Sequence, residues 1–219
     1  MTTIRPLRIL CVGDSLTEGY DEHGTLFHPY AIQLRKRFEA SGRTVTVDVC
    51  AKSGDMVDPV RGRIRSRMET HLSSQSAYDI AVILGGTNDI GWGKPPAQVA
   101  EHLAFLWTRT ADSGCLVLAL TIPDVFRFSE NGCRNPLEGS ALDVFNELVR
   151  TRAADMNSCG KRVFLLDLNI LFPLYSLTVE ERAKRWGDSV HPTSAGYDII
   201  GDHIFERIEE VLHASVDSN

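Results

Sequence analysis

Five short apolar runs alternate along this chain with longer stretches whose apolar residues recur at helical spacing. The runs are strand-sized and lie at residues 8–12, 44–49, 79–84, 115–121 and 162–167. The helical stretches cover residues 29–40, 59–72, 97–111, 140–156 and 193–212. Because crossovers between parallel strands are right-handed, this alternation predicts helices on both faces of a parallel sheet. We therefore predict an α/β protein, a three-layer α/β/α sandwich with a five-stranded parallel sheet.

The length of the chain suits one domain. Its 219 residues are within the size of a single core, which grows to about 250 residues before chains usually divide. The sequence has no internal repeat and no linker, so residues 1–219 are expected to form one domain. The longest stretches outside the predicted elements are residues 122–139 and 168–186, and a short helix is expected near residues 178–185.

The charge balance argues against a nucleic-acid partner. The 23 Lys and Arg residues against 29 Asp and Glu residues make the formal net charge -6, whereas nucleic-acid binding requires a basic surface. No run approaches the roughly 20 apolar residues of a membrane span, and the run at residues 9–12 is too short for a secretory signal. We therefore expect a soluble, cytoplasmic protein without stable membrane association.

The five cysteines support the same expectation. They show no pair at the spacing of a redox motif or a metal site. Cys11, Cys50 and Cys115 lie in apolar runs and are expected to be buried thiols, which suits a reducing compartment.

The segment after the first strand carries a candidate nucleophile. In a doubly wound sheet, sites form at the carboxyl ends of the strands. Ser15 lies just past that end, in the run Gly13-Asp14-Ser15-Leu16-Thr17-Glu18-Gly19. A serine at such a junction is either a nucleophile or the N-cap of a helix, and this segment alone leaves both open.

The loops after the second and third strands carry candidate hydrogen-bond donors. Gly54 lies in Ser53-Gly54-Asp55, and Asn88 lies in Gly85-Gly86-Thr87-Asn88-Asp89. A glycine amide and an asparagine NH2 group are donors suited to a carbonyl oxygen that becomes an oxyanion. The same residue types also form ordinary turns, so neither loop is decisive by itself.

A histidine with a nearby carboxylate precedes the last helical stretch. The run is Gly187-Asp188-Ser189-Val190-His191-Pro192. A histidine can take up the proton of a serine, and a carboxylate three residues earlier can orient its ring. The other six histidines have no such pattern and are expected to be surface or packing residues: His23, His28, His71, His102, His203 and His213.

These segments together resemble the blocks of the GDSL, or SGNH, hydrolases. The matching segments are Gly13-Asp14-Ser15-Leu16, Gly54, Gly86-Thr87-Asn88-Asp89 and Asp188-Ser189-Val190-His191-Pro192. They occur in the family's order from residue 13 to residue 192 and so cover nearly the whole chain. Family members often carry an Asn before the glycine of the second block, where this chain reads Val49-Cys50-Ala51-Lys52.

The resemblance implies a flavodoxin-like fold and a role for each matched residue. Ser15 would be the nucleophile, His191 its base and Asp188 the acid that orients the base. Gly54 and Asn88 would join the backbone amide of Ser15 as an oxyanion hole. The implied activity is hydrolysis of small-molecule acyl esters through an acyl-enzyme, with no cofactor and no metal.

Two other functions use the same edge of the sheet. A metal-dependent phosphoesterase would need an oxygen-rich cluster from Asp14, Asn88, Asp89, Asp188 and His191. A nucleotide- or flavin-binding module would use the flavodoxin-like edge, although the first loop lacks both the G-x-G-x-x-G and the G-x-x-x-x-G-K-[ST] pattern.

The sequence says least about the substrate. Trp92, Phe126 and Phe128 follow strands three and four and could form an apolar shelf for an acyl chain, although core packing is the alternative for each Phe. Because only two modest stretches are available to wall the site, we expect a shallow site and a preference for short- to medium-chain esters. The sequence does not indicate an oligomeric state.

Overall fold

A computed structural model describes residues 6–73, 77–125 and 140–216 of the protein. The strands are β1 (Leu7–Gly13), β2 (Tyr20–Asp21), β3 (Leu26–Phe27), β4 (Val45–Ala51), β5 (Ile80–Leu84), β6 (Leu116–Leu120) and β7 (Val163–Leu166). The helices are α1 (Ser15–Glu18), α2 (Ala31–Ala40), α3 (Ile64–Leu72), α4 (Thr87–Gly91), α5 (Pro96–Asp112), α6 (Ala141–Ser158), α7 (Leu168–Leu171), α8 (Val179–Arg185) and α9 (Ser194–Val216).

The main sheet has five parallel strands in the order β4-β1-β5-β6-β7. Strand β1 is paired on both sides, and its Ile9 lies opposite Val47 of β4 and Ile80 of β5. The chain leaves β1 first towards β4 and later continues from β5 towards β7, so the order of connection reverses beside β1. Sites in this class of sheet lie at such a reversal, outside the carboxyl ends of the strands.

Continuous apolar sequence explains the central strands. Every residue of β5 and β6 is at most 1% exposed, because helices cover both faces of the sheet. Burying one such Val, Leu or Ile side chain contributes roughly 1.5–3 kcal/mol relative to leaving it in water. The edge strand β4 is only partly buried. The predicted α/β/α sandwich is confirmed.

Two pairs of helices build the outer layers. Helix α2 packs against α9, and α5 packs against α6. In α9, Ile200, Ile204 and Ile208 repeat every four residues and are fully buried, which is the spacing of one helix face. The short helix expected near residues 178–185 is α8, and Thr178 begins it with a capping box to Glu181.

One predicted boundary is wrong. The helix expected from residue 59 begins at Ile64, because the preceding residues form a turn around Asp58. The Asp58 carboxylate accepts from the backbone N–H of Val60 at 2.8 Å, and the backbone carbonyl of Asp58 accepts from the N–H of Gly62 at 2.7 Å. The hairpin of β2 and β3 and the short helices α1, α4 and α7 were not predicted, since each is too short to show a periodic pattern.

Three cysteines occupy the positions expected for buried thiols. Cys11, Cys50 and Cys115 are free and buried, and burial raises the pKa of Cys11 to about 12. Cys133 lies outside the described residues. Within the part of the chain that the structure describes, no helix has both the length and the apolar composition needed to span a membrane.

Candidate active site

A tight turn after β1 presents Ser15. Asp14 caps α1, and its carboxylate accepts from the backbone N–H of Leu16 at 3.0 Å. Ser15 is therefore the first residue of the helix and not its cap. A Cβ at Gly13 would lie 2.4 Å from the carbonyl oxygen of Leu84. Any side chain there would collide with β5, so only glycine lets the chain pass this close to that strand. The turn holds Ser15, 5% exposed, at the carboxyl end of β1.

Ser15, His191 and Asp188 form a chain of hydrogen bonds. The Ser15 Oγ lies 3.1 Å from His191 Nε2, and His191 Nδ1 lies 2.9 Å from Asp188 Oδ2. With an ionised carboxylate at Nδ1, that nitrogen carries the proton and Nε2 is left to accept from the serine hydroxyl. The geometry matches a nucleophile, a base and an orienting acid.

The segment around Asp188 and His191 is a local turn. Asp188 Oδ1 accepts from the backbone N–H groups of Val190 and His191, both at 2.7 Å. Burial favours the neutral acid, but the hydrogen bonds from the His191 ring and from these two amides outweigh it and lower the pKa of Asp188. Gly187 N–H donates to the His191 carbonyl at 2.8 Å and closes the turn. The carboxylate is therefore ionised at neutral pH.

Tyr20 packs on the catalytic histidine candidate. Its ring centroid lies 4.4 Å from that of His191, at an interplanar angle of 40°. Tyr197 donates to the Tyr20 carbonyl at 3.0 Å. A Cβ at Gly24 would lie 2.8 Å from the Tyr20 ring, so the hairpin turn packs against this ring. No sequence pattern indicated Tyr20, because ring stacking joins segments far apart in the chain.

The hairpin of β2 and β3 and the chain around the start of α9 border a cleft. It has a volume of about 510 Å³ and reaches Asp188 and His191 from the side of Glu22, His23 and Lys184. Glu22 and His23 have positive φ angles of 44° and 56°, which are uncommon for residues other than glycine. The lining is rich in charged side chains.

The three expected oxyanion donors lie on neighbouring loops. Gly54 has a φ of 79° and is the third residue of a turn closed by Asp55 N–H to the Lys52 carbonyl at 3.1 Å, as in a type II turn. Asn88 Nδ2 donates to the Asp55 carbonyl at 2.8 Å, which leaves its other amide hydrogen available. Within the described residues, the backbone N–H groups of Ser15 and Gly54 have no acceptor.

Two buried carboxylates support these loops. Asp89 accepts from the backbone N–H groups of Val57 at 3.0 Å and Asp58 at 3.1 Å, and burial raises its pKa. Burial also raises the pKa of Asp14 to about 7, although the hydrogen bond from the backbone N–H of Leu16 opposes the shift. Both carboxylates therefore bind backbone N–H groups of the segments that form the site.

The oxygen-rich cluster of the phosphoesterase hypothesis does not form. Asp14 faces α1, and Asp89 faces the loop after β4. No three His, Cys, Asp or Glu side chains in the described ranges are grouped so that they could hold a metal ion.

The expected apolar shelf is only partly described. Trp92 follows α4 and is 73% exposed, so it is a surface residue on the Asn88 side of the site. Phe126 and Phe128 lie outside the described residues.

Comparison with known proteins assigns the family. Residues 11–199 match the model of the GDSL-like Lipase/Acylhydrolase family, and the chain belongs to that family. The match assigns the chain to a family of lipases and acylhydrolases. The chain is 29% identical over 239 residues to a multidomain esterase from Ruminococcus flavefaciens. The match spans 95% of this chain but only 29% of that protein's length.

Solved structures share the fold. A lipase/acylhydrolase from Enterococcus faecalis is similar with a TM-score of 0.71 at 18% identity, over 93% of this chain and 96% of that one. A family 3 carbohydrate esterase from Clostridium thermocellum is similar with a TM-score of 0.70 at 17% identity, over 96% of this chain and 99% of that one. At these identities the likeness concerns the fold.

Proposed function

We propose that this protein is a serine hydrolase that cleaves acyl esters through an acyl-enzyme on Ser15. The observation that carries the proposal is the hydrogen-bonded chain from Ser15 Oγ through His191 to Asp188. It ends at the carboxyl edge of β1, beside backbone N–H groups that have no acceptor among the described residues. Packing of α9, near the end of the chain, against α2 near its beginning supports one domain for residues 1–219.

Acylation begins when Ser15 Oγ attacks the ester carbonyl carbon and its proton passes to His191 Nε2. The carbonyl oxygen becomes an oxyanion, which the backbone N–H groups of Ser15 and Gly54 and the free amide hydrogen of Asn88 stabilise. Asp188 stabilises the imidazolium that forms. The imidazolium then protonates the leaving alkoxide, the carbon–oxygen bond breaks, and the acyl group remains on Ser15.

Deacylation repeats these steps with water. His191 Nε2 takes one proton from a water molecule whose oxygen attacks the acyl carbonyl, and the same three donors hold the second oxyanion. Collapse of this intermediate breaks the bond to Ser15 Oγ, which recovers its proton from His191. The products are a carboxylic acid and the free enzyme.

Replacement of Ser15 tests the mechanism. Ser15→Ala should abolish hydrolysis of p-nitrophenyl acetate, and a fluorophosphonate should label the wild type on Ser15 but not the variant. Ser158→Ala, which removes a hydroxyl at the exposed end of α6, is the matched control and should retain full activity. Near-wild-type turnover by Ser15→Ala would overturn the proposal.

The proposed substrates are short- to medium-chain esters of small molecules. The elements at the described carboxyl edge are short, with α1 of four residues and α4 of five residues, which favours a shallow site. Trp92 is an exposed apolar side chain that follows the Asn88 helix, and it is the proposed contact for an acyl chain. Each methylene that it removes from water contributes up to about 0.8 kcal/mol.

A chain-length series tests the substrate proposal. The value of kcat/KM should peak between about two and eight acyl carbons, and Trp92→Ala should lower it more for octanoyl than for acetyl esters. The exposed Val179, on α8, gives a control in Val179→Ala, which should leave the series unchanged. An optimum at palmitoyl length would contradict the proposal.

A further inference from the structure

We propose that Glu18 is a positioning residue. It holds the loop of residues 52–58, the Gly54 loop, against the turn of residues 13–19 that carries Ser15, and so keeps the oxyanion hole assembled. The inference rests on the proposed function and adds to it a residue whose side chain is not expected to touch the substrate. Glu18 and Ser15 are the last and first residues of the same four-residue helix, α1. Their relative position is set by one helical turn, which Gly19 N–H to the Ser15 carbonyl closes at 2.9 Å.

The Glu18 carboxylate reaches across to the loop that follows β4. Its Oε2 accepts from the backbone N–H of Ser53 at 2.6 Å and from Ser53 Oγ at 2.5 Å. Its Oε1 accepts from Lys52 Nζ at 3.1 Å. Ser53 directly precedes Gly54, so the carboxylate holds the chain at the residue before the proposed donor.

The same loop is held from its other side by α4. Asn88 Nδ2 donates to the Asp55 carbonyl, and Asp89 accepts from the amides of Val57 and Asp58. Contacts from Asn88 and Asp89 therefore fix residues 55–58, whereas Glu18 fixes residues 52–53. Gly54 lies between these two anchors, and a Cβ placed on it would meet nothing within 4 Å.

This arrangement links all three donors through one loop. The Ser15 amide belongs to the turn that carries Glu18, the Gly54 amide belongs to the loop, and the Asn88 side chain binds the loop directly. The Glu18 side chain is 20% exposed, whereas that of Lys52 is 62% exposed. The hydrogen bonds to Ser53 are therefore better shielded from solvent than the ion pair with Lys52, which water and salt screen more strongly.

The charge of Glu18 suits this role. Burial opposes ionisation, but the Ser53 hydroxyl, the Ser53 amide and Lys52 together lower the pKa of Glu18. The carboxylate is therefore ionised throughout the neutral pH range and can accept all three hydrogen bonds while the enzyme works.

Loss of the anchor should slow the chemical step more than it weakens substrate binding. An oxyanion donor acts on charge that develops in the transition state, and a misplacement of about 1 Å can cost about 100-fold in rate. Glu18→Ala should lower kcat about 10- to 100-fold on p-nitrophenyl acetate, with KM changed less than about threefold. Glu18→Gln retains one acceptor for Ser53 and should recover part of the loss.

Further variants separate positioning from general stability. Ser53→Ala should show a smaller kcat defect, since it removes one of the two Ser53 contacts. Glu69→Gln is the matched control, because Glu69 pairs with Arg65 on the surface of α3, and it should leave kcat unchanged. A trifluoromethyl ketone, which forms an oxyanion on Ser15, should lose affinity for Glu18→Ala in proportion to the loss of kcat/KM.

The outcomes distinguish this inference from the proposed function. The Ser15→Ala variant in the same assay reports on the mechanism alone, so its inactivity together with an unaffected Glu18→Ala would overturn only the role of Glu18. A Glu18→Ala defect confined to KM, or unfolding at lower denaturant without a change in kcat, would also overturn it. If Glu18→Ala does not fold, Glu18→Gln and Ser53→Ala decide, and unchanged kcat in both would refute the inference.

Discussion

The two halves of the proposed active site, the base half and the oxyanion half, are held together in different ways. The base half, Asp188 and His191, is a turn in which the acid binds the backbone and ring of a residue three positions away. The oxyanion half joins Glu18, the Gly54 loop and α4 through hydrogen bonds between residues 31 to 35 positions apart. A local turn needs little help from the fold, whereas the oxyanion half exists only once β1, β4 and β5 are in register.

This difference suggests how each half should respond to substitution. The base half concentrates its chemistry in two side chains, so a single change should remove most of the activity. The oxyanion half divides its work among three donors and their supports, so single changes should cost less. The order of the losses tests the comparison.

Substitution of the base should have the largest effect. His191→Ala should lower kcat about 10⁴- to 10⁶-fold, since Ser15 would then have no group to accept its proton. Steady-state hydrolysis of p-nitrophenyl acetate measures the loss, and His213→Ala, at the exposed end of α9, should be unaffected. A loss below about tenfold would show that His191 is not the base.

Substitution of the orienting acid should come next. In Asp188→Asn the side-chain oxygen can still accept from the amides of Val190 and His191, but the NH2 group would face His191 Nδ1 and favour the wrong tautomer. We expect kcat to fall about 10³- to 10⁴-fold, with the fold intact. Kinetics alongside circular dichroism would check this, and an active Asp188→Asn would contradict the proposed hydrogen-bond chain.

Removal of one oxyanion donor should cost less than either change in the base half. Asn88→Ala should lower kcat about 10²- to 10³-fold with a small change in KM, because its amide is proposed to act on charge that develops in the transition state. Measurement of kcat and KM separately decides the point. A change in KM alone would assign Asn88 to binding of the ground state and break the comparison.

The smallest effect concerns stability, at the Asp14 cap between the two halves. In the folded state the pKa of Asp14 is raised to about 7 by burial, from an ordinary value of 3.8. The folded protein therefore holds this proton over a pH range in which the unfolded chain has lost it, so the free energy of unfolding falls as pH rises from about 4 to about 7. Asp14→Asn does not titrate and keeps an oxygen for Leu16 N–H.

Denaturant titrations at pH 5 and pH 8 would measure this effect. The free energy of unfolding of Asp14→Asn relative to the wild type should increase by roughly 1–3 kcal/mol between the two pH values. Glu210→Gln, which changes an exposed carboxylate paired with Arg207, should show no such increase. A constant difference between Asp14→Asn and the wild type would mean that Asp14 titrates alike in both states.

The residues of the site differ in how visible they are in the sequence. Ser15, Gly54 and Asn88 stand in short motifs after predicted strands, and Asp188 and His191 stand in a motif before the last predicted helix. The structure brings Ser15, His191 and Asp188 into hydrogen-bond contact. Their chemical roles stay predictions until the variants are measured. Glu18 and Tyr20 were not singled out, because their partners Ser53 and His191 lie 35 and 171 positions away.

The sequence by itself determined the layers of the fold and the edge at which the site lies. Continuous apolar runs such as residues 80–84 must be covered on both faces, and right-handed crossovers then bring the motif-bearing loops to one edge of the sheet. Hydrophobic periodicity carries that information because burial acts on every residue of an element.

Only the tertiary structure decided which strands are neighbours and how the loops bind one another. The order β4-β1-β5 brings the carboxyl ends of these three strands side by side, and the loop after β4 then contacts both α1, through Glu18, and α4, through Asn88. A hydrogen bond depends on distances of a few tenths of an ångström between side chains far apart in the chain. No local pattern encodes such distances, because they are set by how whole elements pack.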